Sequence, residues 1–149
     1  MDLHVDLRRF TTPVELAACF DVMKQLRPHL ASPQAFIEQV QRQFTAGYQL
    51  LGGVQGTTVV GLVGYREMEN LLYGRFVYVD DLVVDASLRQ AGLGARLLDT
   101  VRQEARHAGC AHFVLDTGLH MPLAQRFYYR EGLLARGMHF VEPIDAARG

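Results

Sequence analysis

Apolar and polar positions change period several times along the chain, and each change predicts an element. HVDLRRF (4–10) alternates, which predicts a strand. Thr11, Thr12 and Pro13 form a helix entry, a hydroxyl cap with proline in the first turn. VELAACFDVMKQL (14–26) then places Val14, Ala17, Ala18, Met23 and Leu26 at helical spacing. RPHLASP (27–33) breaks the pattern with two prolines. QAFIEQVQRQFTA (34–46) is a second amphipathic helix, with Phe36, Ile37, Val40 and Phe44 on one side and Gly47 placed to end it. YQLLGGVQG (48–56) and TTVVGLVGYREME (57–69) read as two strands meeting at Gly56.

GRFVYVDDLVVD (74–85) is rich in Val, Tyr and Phe and is the strongest strand signal. A helix over 92–107 turns Leu93, Leu97, Leu98, Val101 and Ala105 to one face and Arg96, Asp99, Arg102, Gln103 and Arg106 to the other. CAHFVLDTG (110–118) is a fifth strand. Pro122 opens a helix that runs to Gly132, with Phe127 and Leu123 on a core-facing side. LLARGMHFVEPI (133–144) reads as a last strand. The order β-α-α-β-β-β-α-β-α-β makes a mixed α/β fold, in which the helix at 92–107 crosses over between parallel strands at 76–84 and 111–117. No linker or repeat interrupts residues 1–149, which predicts a single domain.

Composition narrows the function classes. About half the residues are apolar, and 15 basic side chains face 16 acidic ones for a net charge of −1. Nothing in that balance points to a nucleic-acid partner. No apolar run approaches the ~20 residues of a membrane span, and the N-terminus lacks a signal-peptide pattern. Cys19 and Cys110 are read as two free thiols, which fits a reducing cytoplasm. The six histidines show no metal-ligand spacing, so no metal is expected.

The chemistry gathers at DASLRQAGLGARLL (85–98), where two glycines stand between a strand and a helix. Such a turn lets backbone N–H groups and the positive end of a helix dipole meet an anion. A Walker loop is excluded, because no lysine follows either glycine. A Rossmann turn fits poorly: Leu97 stands where the third glycine belongs, and seven residues separate Val84 from Gly92. Asp116 does sit near the place of a ribose-binding acid, but three antiparallel strands would not precede such a unit.

Arg89, Gln90, Ala91, Gly92, Leu93 and Gly94 match (R/Q)xxGx(G/A), the pyrophosphate loop of the GCN5-related N-acetyltransferase superfamily. LAQRFYYREGL (123–133) is similar to that family's AxxFYxxxGF through Ala124, Phe127, Tyr128 and Gly132. The resemblance covers 74–140 closely and the first 70 residues in element order. It implies a mostly antiparallel sheet whose parallel fourth and fifth strands splay apart. The coenzyme A pyrophosphate would lie on residues 89–95, Ala95 included, and the pantetheine arm along Leu82, Val83 and Val84. Met121 stands where many members carry an asparagine for that arm.

The implied reaction is direct transfer of acetyl from acetyl-CoA to the amine of a small molecule or peptide. Tyr128 is the expected general acid for the leaving thiolate, and a backbone N–H near Leu82 or Val83 the oxyanion donor. Asp80 is the favoured base, with Asp116 and Asp81 as alternatives. On a regular strand Asp80 shares a face with Tyr78 and Leu82, and Asp81 points the other way. Arg27 and His29, between the first two helices, join Tyr78 and Asp81 as substrate-binding candidates. The second reading is a non-catalytic acyl-CoA or nucleotide-binding regulatory module. The acceptor's identity stays open, and a homodimer is as admissible as a monomer.

Overall fold

The computed structural model describes residues 4–89 and 91–145. Its elements run β1 (Asp6–Phe10), α1 (Pro13–Leu26), α2 (Pro33–Thr45), β2 (Tyr48–Gln55), β3 (Thr58–Asn70), β4 (Gly74–Val84), a short 3₁₀ turn (Ala86–Leu88), α3 (Leu93–His107), β5 (His112–Leu115) and α4 (Pro122–Arg130). The strands form one sheet in the order β1-β2-β3-β4-β5. The first three pairings are antiparallel and β4–β5 is parallel. The described chain divides into two compact units that part between Leu115 and Asp116.

Local chemistry explains the first unit's elements. Thr12 caps α1 through the Glu15 amide, while the Glu15 carboxylate bonds back to the Thr12 amide at 3.0 Å, a reciprocal capping box. Ser32 caps α2 through the Ala35 amide. Leu16, Cys19, Phe20, Val22 and Met23 of α1 pack with Phe36 and Val40 of α2 and with Tyr48, Leu50, Leu62 and Val83 of the sheet. Helix α3 buries the five residues its spacing predicts: Leu93, Leu97, Leu98, Val101 and Ala105. It settles closely because β3 carries no side chain at Gly61. A Cβ there would lie 2.9 Å from Leu93 Cδ2 and 3.2 Å from Leu97 Cδ1.

Two departures bear on the site. Between β3 and β4 the pairing runs Gly64↔Asp81 and then Tyr65↔Val79, so Asp80 is an extra residue, a β-bulge. The β4–β5 ladder spans only Phe76–Val79 against His112–Leu115.

The second unit holds α4 and its flanking segments. Gln125 Nε2 donates to the carbonyls of Gly118 and Leu119, both at 3.1 Å, which ties the preceding loop to the helix. Gly132 takes a φ of 91° just beyond α4. The expected strand over 133–144 is not formed. Residues 133–145 lack a ladder, and Leu134, Met138, Phe140, Val141 and Ile144 are exposed. Apolar content alone does not make a strand, which needs a neighbour to take its backbone bonds. Leu123 is exposed as well, so the Leu123–Phe127 side of α4 is not a core face.

Candidate active site

The turn into α3 is built differently from the other helix entries of its unit. Gly92 occupies the N-cap with φ 86° and ψ 0°, a left-handed conformation that glycine adopts without strain. It has no side chain to cap with, and no acidic residue follows in the first turn. The helix therefore begins with N–H groups that no capping side chain claims, at the positive end of its dipole. Val5, Leu88, Ala91, Gly92, Leu93 and Arg96 line a small open recess at this point. Leu93 anchors the turn from below, and Arg96 Nη1 donates to the Val5 carbonyl at 2.6 Å. Arg89 ends the 3₁₀ turn in extended conformation, while Gln90 lies outside the described residues.

A second cluster forms where β4 bulges. Arg66 Nε and Nη2 hold the two Asp80 oxygens at 2.9 and 2.8 Å. Its guanidinium also lies 5.5 Å from the Tyr78 ring centroid. Arg27, the C-cap of α1, donates from Nε and Nη2 to Asp81 Oδ1 at 3.1 and 3.0 Å, and from Nη2 to the Asp80 carbonyl at 2.9 Å. The Tyr48 hydroxyl donates to Asp81 Oδ2 at 2.7 Å. Burial, and then Asp81, hold the Tyr48 hydroxyl well above its ordinary pKa. The Asp80 partnership raises that of Arg66.

This arrangement corrects the regular-strand expectation that Asp81 points away from Asp80. Tyr48, Arg66 and Tyr78 sit directly opposite one another across three strands, and cross-strand partners share a face. Arg66 binds Asp80 and Tyr48 binds Asp81, so the bulge turns both carboxylates to that one face. Three residues of the cluster carry no motif. Tyr48 and Arg66 are found only through the fold. Gly64 is the strand glycine that makes room: a Cβ there would lie 1.7 Å from the Tyr48 hydroxyl oxygen.

The other candidates stand as follows. His29 is exposed in the loop between α1 and α2. Val83 is buried, while Leu82 and Val84 are half-buried beyond the end of the β4–β5 ladder. In the second unit, Tyr128 is half-buried on α4, and burial pushes its hydroxyl up in pKa. Asp116 Oδ2 lies 2.8 Å from His139 Nε2, a partner the sequence reading did not foresee. Met121 is the N-cap of α4 and makes no side-chain capping bond.

Comparison with known proteins decides the family. The Acetyltransferase (GNAT) family matches residues 16–133. The chain belongs to that family. Among curated relatives of this GNAT chain, the uncharacterized N-acetyltransferase YhdJ of Bacillus subtilis is 28% identical over 145 residues, covering 94% of this chain and 99% of the relative. The aminoalkylphosphonate N-acetyltransferase of Salmonella typhimurium is 30% identical over 87 residues, 58% of this chain and 56% of that one. Among solved structures, the aminoglycoside N-acetyltransferase AAC(6')-Iy in complex with CoA superposes with a TM-score of 0.83 at 17% identity, covering 96% of each chain. Family membership makes this GNAT protein an acyltransferase of the N-acetyltransferase type. No helix among the described residues is long and apolar enough to cross a membrane.

Proposed function

We propose that residues 1–149 act as a single N-acetyltransferase domain that moves acetyl from acetyl-CoA directly to a primary amine on a small molecule or peptide. The observation that carries this reading is the Gly92 entry to α3. A left-handed glycine and a helix start without a capping side chain leave backbone N–H groups open to a pyrophosphate. Residues 89–95 would hold the pyrophosphate. Leu82, Val83 and Val84, beyond the short ladder, would bind the pantetheine arm as an added strand. Acetyl-CoA supplies the acyl group as an activated thioester.

The chain's own residues do the rest. Asp80 takes the proton from the acceptor ammonium, directly or through water; Arg66 leaves each of its oxygens a further lone pair. Asp81 or Asp116 would serve in its place. A backbone N–H near Leu82 or Val83 meets the developing oxyanion. Tyr128, which like any tyrosine carries its proton at neutral pH, protonates the departing thiolate. The aminoalkylphosphonate relative supports a small-molecule acceptor. Two free thiols support a reducing, cytoplasmic setting.

Titration calorimetry with acetyl-CoA tests the reading. Gly92→Asp sets a side chain and a negative charge against the pyrophosphate and should abolish measurable binding with the fold intact. Tyr128→Phe should retain affinity within a few fold and lower kcat by roughly 100-fold. Unchanged affinity in the first variant removes the turn from the site. Wild-type turnover in the second removes Tyr128 from the chemistry. Binding of acetyl-CoA by the wild type but not by Gly92→Asp, with no acyl transfer to any amine, favours the regulatory module.

A further inference from the structure

The charges at the β4 bulge are arranged for more than an amine. A site that receives a simple or polycationic amine gains from net negative charge. Here each carboxylate has its own guanidinium, Asp80 with Arg66 and Asp81 with Arg27. Those four charges cancel. A cation gains no net Coulomb attraction from them, whereas a ligand carrying both signs can align with the two dipoles.

The depths of the groups give that ligand a direction. The Asp81 and Asp80 side chains are 14% and 22% exposed, and those of Arg27 and Arg66 are 43% and 36% exposed. Carboxylates therefore lie deeper than the guanidiniums that hold them. Both arginines engage through Nε and Nη2, and each guanidinium carries two further N–H groups on Nη1. An ammonium reaching inward meets carboxylate lone pairs. An oxyanion on the same molecule, held further out, meets guanidinium N–H groups. Tyr48 and the Asp80 carbonyl keep the inner end of this array from turning over.

From this we infer that the acceptor is a short zwitterionic amine, with a carboxylate, phosphonate or phosphate a few bonds from the nucleophilic nitrogen. Its ammonium sits on Asp80 and Asp81 and its anion on Arg27 and Arg66. The inference rests on the acetyl-transfer reading and narrows its substrate class.

The test uses the full chain, acetyl-CoA and a graded set of amines, with released thiol as the readout. β-Alanine and 2-aminoethylphosphonate present a carboxylate and a phosphonate. Propylamine presents the same nitrogen without an anion, and spermidine presents added positive charge. We expect kcat/KM for at least one zwitterion to exceed that of propylamine and spermidine by 10- to 100-fold, the span of a charge-assisted hydrogen-bonded contact. Which zwitterion leads distinguishes carboxylate from phosphonate or phosphate.

Arg66→Lys keeps the charge but loses the fork, and should shrink that preference about tenfold. The change should lie mainly in KM. Equal or better turnover of propylamine or spermidine overturns the inference, as does turnover of no zwitterion by protein that binds acetyl-CoA. Should Arg66→Lys fail to fold, the wild-type preference alone decides. Failure to bind acetyl-CoA at all would instead strike the acetyl-transfer reading.

Discussion

On each of the sheet's two faces a tyrosine and an arginine bond the same carboxylate. On one face Tyr48, Asp81 and Arg27 meet at the β4 bulge. On the other, Arg9 donates to the Tyr65 hydroxyl at 2.8 Å and to Glu104 at 2.6 Å, and Tyr65 donates to Glu104. Both tyrosines are buried, at 3% and 2% exposure. The surroundings differ. Arg9, Tyr65 and Glu104 join β1, β3 and α3, and Tyr65, though beside the same register shift, keeps a ladder partner on each side, Gln49 and Val79. Asp81 follows an unpaired residue of β4, and Arg27 ends a helix. One triad fastens secondary structure, and its twin fixes a carboxylate at an irregular point of a strand. A tyrosine, an acid and an arginine thus fasten the fold in one setting, and in the other they serve the acceptor recognition proposed above.

Breaking the twin at the bulge should have the largest effect. Gly64→Ala drives a methyl group into the Tyr48 ring, whose Cζ would be 2.4 Å away. The ring is locked in the core and cannot swing aside cheaply. We expect a stability loss of about 3 kcal/mol, the upper range of overpacking, and a fall of roughly 100-fold in kcat/KM for the acceptor. Thermal melting and steady-state kinetics measure both. A variant that melts and turns over like wild type would show that the Gly64 gap does not seat Tyr48.

Removing one hydroxyl from each face sharpens the contrast. Tyr48→Phe leaves Asp81 one donor short and should lower acceptor kcat/KM about tenfold, with acetyl-CoA affinity unchanged. Tyr65→Phe should cost about 1 to 2 kcal/mol of stability and leave turnover at the wild-type level. Chemical denaturation and kinetics on the pair are decisive. The reverse pattern would exchange the roles assigned to the two triads.

The smallest effect is in pH. Burial, and then the bond to Glu104, push the Tyr65 hydroxyl up to about 12. The folded chain therefore keeps this proton above the ordinary tyrosine pKa of 10.0, where the unfolded chain releases it. The stability it contributes is whole below pH 10 and drains away as pH rises toward 12. Denaturation midpoints at pH 9 and pH 11 should fall less for Tyr65→Phe than for wild type. Parallel losses would place the alkaline sensitivity elsewhere.

The elements whose signals are local were legible in the sequence. Thr12 with Pro13 marked a helix start, Gly92 a strand-to-helix turn, and the five apolar residues from Leu93 to Ala105 a buried face. What escaped depends on contacts distant in the chain or on backbone count. Tyr48 and Asp81 lie 33 residues apart, and neither neighbourhood shows a motif. An extra residue such as Asp80 leaves no mark in alternation, because both neighbouring phases look acceptable. Gly64 was the available hint, since a glycine inside a strand often marks a close approach. Segment 133–144 failed for the opposite reason: its apolar residues suggest a strand, but composition cannot supply a pairing partner.

The short β4–β5 ladder gives the protein a built-in isotope clock. Phe76–Val79 are paired on both sides, to β3 and to β5. Leu82–Val84 have ladder partners in β3 alone. Amide deuteration should thus be slow throughout the first stretch and split in the second, with amides turned toward β3 protected and those turned away exchanging early. A pantetheine amide bonding to the second stretch would slow that early class and leave the others unchanged. Exchange followed with and without coenzyme A would then mark, amide by amide, how far along the strand the arm reaches.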